Sequence, residues 1–500
     1  MASRPGDRFF MGVMRFILSP PERNSEQVVE QAYLTGFDRI PNMVRARAEG
    51  DTLVLQHSGT EAVNLHVPWD VAGYERLTLS TGTLVESATP YPLPLELARG
   101  RLGLVRNQAA EWEVAGLAVP DSVRTAVREA TRYFSRAAVH QQQREQSSQL
   151  AEQSLRASLD AAAQLVAAYA NQALPLRIRY NGRQPLLQGG VLGSSLLDDV
   201  STAQFLQTFN VAGVPFSWRE IEIYQGSFLW DTADKQVAWC QMHGLPVFSG
   251  PLLELDRRSL PDWVHSWGDN FDALFSFVTS YVQAVVSRYR GKVAIWQCAG
   301  RVNSSDLLAL SEEQHLRLVA QVVEVIRSLD RDAPIVFSVN QPWGEYLLHR
   351  QREFPPWQFA DVLIRAGLGL GGLVLETNLG YFPGGTRLRD GLDWSRLLDY
   401  WAVLGLPLYI SLCLPSGAHE DPLANTRTHV SPSWTPQAQE EWVAQHVPFL
   451  LAKPYVSGIL WNQLRDGEPH DFPHGGLFAL DRTAKPVQVA LAAIRQTYLR

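Results

Sequence analysis

From about residue 176 to residue 500 the chain repeats one unit, a short apolar run followed by a loop and then a helix-like segment. The apolar runs fall at 190–197, 208–215, 245–253, 293–299, 334–339, 371–375, 407–414 and 456–461. Helix-like segments at 230–243, 270–289, 311–329, 394–404 and 436–451 lie between them. Eight strand-like runs alternating with helices are what a closed (β/α)8 barrel needs. An open doubly wound sheet is the competitor, but no glycine-rich dinucleotide or phosphate fingerprint follows the first run.

The rest of the chain has a different texture. Residues 1–118 read as a β-rich domain, with strand-like runs at 52–56, 62–67 and 76–80 separated by Gly, Asp and Pro turns. Residues 119–175 are rich in Ala, Gln, Arg, Glu, Leu and Ser, with no Pro or Gly between Asp121 and Ala173. These are helix formers, and one unbroken helix of that length would span about 75 Å at 1.5 Å per residue. Two helices with a break within 141–148 are expected. Leu150, Leu155, Leu159, Leu165 and Val166 form an apolar stripe, either packed inside the chain or used to form a homodimer through this connector. The expected fold class is α/β: a (β/α)8 TIM barrel over 176–500, preceded by a β-rich domain and a helical connector.

Composition excludes several classes. Hydrophobic residues make up 46% and charged residues 19%, enough for a large core. The 44 basic and 51 acidic residues leave a net charge of −7, so a nucleic-acid partner has no bulk electrostatic support. No run reaches the roughly 18 apolar residues of a membrane span, and none is expected to enter a bilayer. The opening residues, Met1 to Pro5, with Gly12 and Arg15 interrupting 9–18, read as no secretory leader. Cys240, Cys298 and Cys413 stand far apart in apolar contexts, as buried thiols in a reducing, cytoplasmic compartment would. No Cys/His group has zinc spacing, and neither metal nor cofactor is expected.

In a barrel of this kind the working residues sit at the C-terminal ends of the strands and in the loops that follow. Those ends carry aromatics, amides and carboxylates, with no lysine. Strand three leads into Leu253-Glu254-Leu255-Asp256, strand four into Trp296-Gln297-Cys298-Ala299-Gly300-Arg301, and strand eight into the segment from Trp461 to His470. Flat aromatic faces and fixed amide or carboxylate groups suit a polyhydroxylated sugar ring, so carbohydrate is the expected partner.

Several segments resemble glycoside hydrolase family 10. They are Phe209-Asn210, Trp218 and Glu222, the turn Gln225 to Trp230 with Ala233-Asp234, and Pro261-Asp262-Trp263. Tyr289-Arg290-Gly291-Lys292-Val293 with Trp296, and Gly476-Leu477-Phe478 with Asp481 and Lys485-Pro486, extend the likeness over roughly 186–500. The resemblance implies a retaining, xylanase-like hydrolase of β-linked glycans using two glutamates, one after strand four and one on strand seven. Here those positions fall on Gly300-Arg301 and Ser411-Leu412. Leucine cannot attack an anomeric carbon, and arginine cannot donate a proton near neutrality.

Two readings follow. In the first, the protein is a glycosidase whose site has moved to other strand ends, with Glu376 and Glu345 as the catalytic carboxylates. Strands five and six are neighbours, so the pair is expected to meet and push their pKa values apart. Asn340, Gln341, Trp343, Asn378, Tyr381, Trp296, Arg301, Trp461, Asp466, Glu468 and His470 are the expected substrate-binding groups. Arg301 would either bind an acidic sugar such as a uronate or fill the cavity with a salt bridge to Glu345 or Glu376. His470 and His474 could hold a metal with Asp466 or Glu468, but Pro473 between them argues against a helical ligand pair. In the second reading the barrel is a pseudoenzyme that binds a saccharide or a partner protein through the same cleft.

Overall fold

The computed structural model describes residues 12–19, 26–59, 61–180, 185–350 and 352–499. The leader reading at Met1 to Pro5 lies outside them. The chain divides into two compact units, one of residues 1–172 with 343–351 and 387–396, the other of residues 173–342, 352–386 and 397–500.

The first unit contains two four-stranded sheets. In one, Gly12–Ile17 pairs antiparallel with Thr52–His57, which also pairs with Arg45–Glu49. In the other, Asn64–Trp69 lies between Tyr33–Thr35 and Leu77–Ser80. The helix Leu93–Val114 falls inside the stretch read as β-rich. Its Gly100 and Gly103 lower helix propensity and hide it from the sequence. Gly100 is there for contact, since a Cβ would come within 2.4 Å of the Ser80 carbonyl oxygen. The helical stretch breaks after Val139 and resumes as Arg144–Tyr180. Its apolar stripe, Leu150, Leu155, Leu159, Leu165 and Val166, is buried within the single chain. The later segment 387–396 of this unit is held by buried charge. Arg101 donates to Asp390 at 2.7 Å and to Asp393 at 2.8 Å with 1% of its side chain exposed.

The second unit is a closed ring of eight parallel strands: β1 Leu187–Val191, β2 Val211–Val214, β3 Val247–Ser249 resuming at Leu253–Glu254, β4 Trp296–Gly300, β5 Ile335–Asn340, β6 Gly372–Asn378, β7 Leu408–Cys413 and β8 Val456–Trp461. Each pairs with the next. β3 meets β4 through Phe248 with Ile295 and Leu253 with Ala299, and β8 closes on β1 through Leu460 with Gly189. The strand at β1 begins three residues before the expected 190–197, because Gly189 and Gly190 let neighbouring side chains of Leu460, Val211 and Phe209 press onto its backbone. Outer helices start where the sequence offers caps: Asn270 accepts from Ala273 N, Ser311 and Gln314 form a reciprocal capping box, and Thr435 accepts from Ala438 N. The helices Asp199–Thr208, Asp231–Met242, Pro356–Arg365 and Pro486–Tyr498 also belong to the outer layer.

Inside the ring Leu187, Val211, Phe248, Ile295, Val336, Val374, Tyr409 and Leu460 pack together as an apolar plug. Strand side chains alternate between faces, so two residues further along each strand the interior becomes Gln297, Ser338, Glu376, Ser411 and Asn462. The barrel is therefore closed at its base and polar at its C-terminal mouth. Leu460→Ala removes side-chain volume from the plug and is expected to lower unfolding free energy by about 2–3 kcal/mol. A fall in the urea midpoint with an unchanged m-value reports it.

Candidate active site

Arg301 stands at the centre of the mouth. It follows β4 with φ of 58°, in the left-handed region that a non-glycine side chain enters at a cost. Gln341, the residue after β5, is also left-handed at φ 49°. The Arg301 guanidinium is met by four carboxylates from three other strand ends. Nε lies 3.3 Å from Glu254 Oε1 and donates to Glu376 Oε1 at 3.1 Å. Nη2 donates to the same Glu376 oxygen at 2.9 Å, and Nη1 to Asp256 at 2.8 Å and Asp471 at 2.7 Å. The Phe472 ring lies 5.8 Å from the guanidinium carbon.

A second ring of bonds orients these acids. Asn378, two residues after Glu376 on the interior face of β6, donates to Glu376 Oε1 at 2.8 Å, and Asn462 donates to Asn378 Oδ1 at 3.1 Å. Ser259 Oγ donates to Glu254 Oε2 at 2.7 Å, while the Arg258 and Ser259 amides both donate to Asp256 Oδ1 at 2.8 Å. Arg258 stands 3.5 Å from Asp471.

The environments separate the acids chemically. Burial, followed by the Asp256 charge and opposed by Arg301, pushes Glu254 up to about 8. Burial also acts to raise Asp471, but the charge and hydrogen bond of Arg301, with Arg258 and Asn425, outweigh it and leave that carboxyl below its ordinary value. Arg301 would lose affinity for its proton through burial alone; Glu376, Asp471, Glu254 and Asp256 hold it well above the usual value. Near neutrality the mouth therefore contains a neutral carboxylic acid, Glu254, beside the Asp471 carboxylate, which acts only as an acceptor.

Of the residues expected from the sequence, the barrel brings together Glu376, Asn378 and Arg301, with Asn340 directly beside Glu376 in the β5–β6 register. Of the two salt bridges considered for Arg301, the one to Glu376 is present. Glu345 belongs to the other unit, where its carboxylate pairs with Arg389 at 2.8 Å, both nearly fully buried, and accepts from Arg387 N. Trp343 is in that unit too, edge-on to Trp394 with Arg389 over its ring. Neither is part of the cluster around Arg301. Gln341 donates its amide to the Glu376 carbonyl at 3.3 Å.

The remaining expected groups fasten the scaffold. Trp296 and Trp461 alternate out of the interior, and their indole N–H groups donate to Asp330 and to the Gly475 carbonyl. Tyr381 is buried against Phe472, with its hydroxyl on the Pro473 carbonyl. Asp466 pairs with Lys485 and accepts from Gly476 N, and Glu468 accepts from Ser194, Ser195 and Arg465. His470 bridges the Glu468 carbonyl and Asp421. Among the described residues no group of three or more His, Cys, Asp or Glu side chains is arranged to hold a metal ion. The three cysteines are buried and unbridged. No helix among the described residues is long and apolar enough to cross a membrane.

The residues missed by the sequence reading are Glu254, Asp256 and Asp471. The first two stand two apart at the end of β3, in a segment noted as a strand end, but neither was among the groups expected to act or to bind substrate.

A closed parallel ring with a carboxylate-lined C-terminal mouth defines the class: a (β/α)8 barrel. Comparison with known proteins narrows the likeness. Residues 191–305 match the family described as Glycosyl hydrolase family 10. That segment carries β2 to β4 and with them Glu254, Asp256 and Arg301. Endo-1,4-beta-xylanase 3 of Hypocrea jecorina is 28% identical over 116 residues, which is 23% of this chain and 33% of that protein. The match thus spans about a third of the curated relative's length. Among solved structures, xylanase 10B of Thermotoga petrophila RKU-1 in complex with xylobiose aligns at 16% identity over 67% of this chain and 98% of its own, with a TM-score of 0.47. Native xylanase 10B of Thermotoga maritima aligns over the same shares at 16% identity and a TM-score of 0.48. Residues 191–305 of the barrel are thus similar to glycoside hydrolase family 10; the closure of the ring rests on the strand pairing itself.

Proposed function

We propose that the protein binds a β-linked glycan in the barrel mouth and hydrolyses it with Glu254 as acid and Glu376 as carboxylate nucleophile. The observation that carries this reading is the pair itself. Both Oε1 atoms lie within 3.3 Å of one Arg301 nitrogen, so they are less than twice that distance apart. A retaining glycosidase needs its two carboxyls about 5–5.5 Å apart, one neutral and one ionised. Glu254 passes its proton to the glycosidic oxygen as the C–O bond breaks, while Glu376 forms a bond to the anomeric carbon. Water then cleaves that ester with Glu254 taking back a proton. The hydrogen bonds on Glu376 converge on Oε1, which leaves Oε2 to attack. Similarity to the family-10 profile and to a xylanase supports the substrate class.

A general acid works only while it holds its proton. Hydrolysis is therefore expected to fall as pH rises through about 8, the value to which Glu254 is pushed. Glu254→Gln is expected to cost about 10²-fold on a natural linkage and far less on an aryl glycoside whose leaving group needs no proton. Equal losses on both substrates would remove Glu254 from the acid role.

A second reading is favoured by Arg301, which engages four acids at once: the barrel binds a saccharide or a partner protein without cleaving it. Binding of oligosaccharide with no release of reducing ends from any β-glycan would decide for it. Three buried, unbridged cysteines support a cytoplasmic location, which fractionation of the native host would test.

A further inference from the structure

We propose that the mouth selects a glycan carrying protonated amines, a β-linked glucosamine polymer in preference to a neutral or acidic one. The inference rests on the mouth being a glycan site and adds its charge. Around the rim, Asp466 pairs with Lys485, Glu468 with Arg465, and Asp262 with Arg219. Asp421 is met by His470 and His474. At the centre the count differs. Glu254, Asp256, Glu376 and Asp471 share two arginines, Arg301 and Arg258. One negative charge is left over with Glu254 neutral, and two when it ionises.

A second observation points to a ligand that donates hydrogen bonds. Asn340 is 5% exposed, and its Oδ1 accepts no hydrogen bond. The neighbouring bonds fix which end of the amide is bare. Ser304 Oγ donates to the Arg301 carbonyl and so accepts from Asn340 Nδ2 at 2.9 Å. Asn340 is in step with Val336 and Ser338 on the interior face of β5, beside Glu376. A buried acceptor without a donor is costly, and an ammonium group, directly or through one water, supplies what it lacks.

The charge count also argues against the acidic sugar considered for Arg301. Its guanidinium is already shared among carboxylates, so a uronate would enter a mouth of its own sign with no cation to receive it. An ammonium instead meets a surplus of acceptors in a site where partial burial limits screening by salt.

The test is calorimetric titration of the full chain with a β-1,4-linked glucosamine tetramer, its N-acetylated counterpart and xylotetraose. It is run at a pH where the amines are charged, in low and in high salt. The free-amine oligomer is expected to bind at least about tenfold more tightly than either neutral one, with the margin narrowing in high salt. Asp471→Asn is expected to shrink that margin; the wild-type comparison stands even if the variant fails to fold. Equal affinities for all three oligomers would overturn the amine preference and leave the glycan site standing. Binding of none would overturn the glycan reading, and this inference with it.

Discussion

Glu376→Gln is expected to abolish the proposed glycan hydrolysis to within detection, a loss of about 10³-fold or more in the release of reducing ends. The amide is nearly isosteric with the carboxyl it replaces, but it cannot form the bond to the anomeric carbon. Arg301 keeps Glu254, Asp256 and Asp471 around it in this variant, so the fold is not the expected casualty. An unchanged urea midpoint confirms that the loss is chemical. A variant as active as the parent would remove Glu376 from the reaction. A parent with no activity on any β-glycan would move the protein to the binding reading.

Arg301→Met is the largest expected loss of stability, about 3–5 kcal/mol, because it leaves buried Glu376 and three partly buried acids without their shared cation. Arg301 is 18% exposed and Glu376 7%, so water does little to replace the guanidinium. The sign of the pH dependence follows. Without the cation the acids relieve their repulsion only by taking up protons, so the deficit shrinks as pH falls and grows as it rises. Urea melts of parent and variant across the pH range measure it. A deficit independent of pH would mean that packing against Phe472, and not charge, is what Arg301 supplies. The strained backbone at Arg301 makes the same point from the other side: the left-handed conformation persists because four carboxylates hold the side chain in place.

Much of this was legible in the residues. Eight apolar runs alternating with amphipathic segments specify a parallel ring, because a strand covered on both faces has few other ways to bury itself. The helix-like segments beginning at Asn270 and Ser311 start within a residue of the observed helices. Glu376, Asn378 and Arg301 were visible as polar groups at the ends of apolar strands. What misled was adjacency in sequence taken for adjacency in space. Glu345 follows β5 as closely as Glu376 ends β6, yet the chain after Pro342 leaves the barrel unit and Glu345 is bound by Arg389. Trp296 and Trp461 fell to the period of two, which turns alternate residues away from the interior. Asp466, Glu468 and His470, a concentration of titratable groups in the sequence, each bond to neighbours around the loop after β8: Asp466 to Lys485 and Gly476, Glu468 to Ser194, Ser195 and Arg465, and His470 to Asp421.

The sequence by itself determined the ring and its polar mouth, because burial and periodicity are local properties that a pattern of apolar residues carries. Only the tertiary structure decided that Glu254, Asp256 and Asp471, more than two hundred positions apart at their extremes, converge on Arg301. That convergence depends on how far each loop folds back over the mouth and on a left-handed residue after β4. Neither leaves a periodic mark, and the charge on each group is set by neighbours that the chain order does not name.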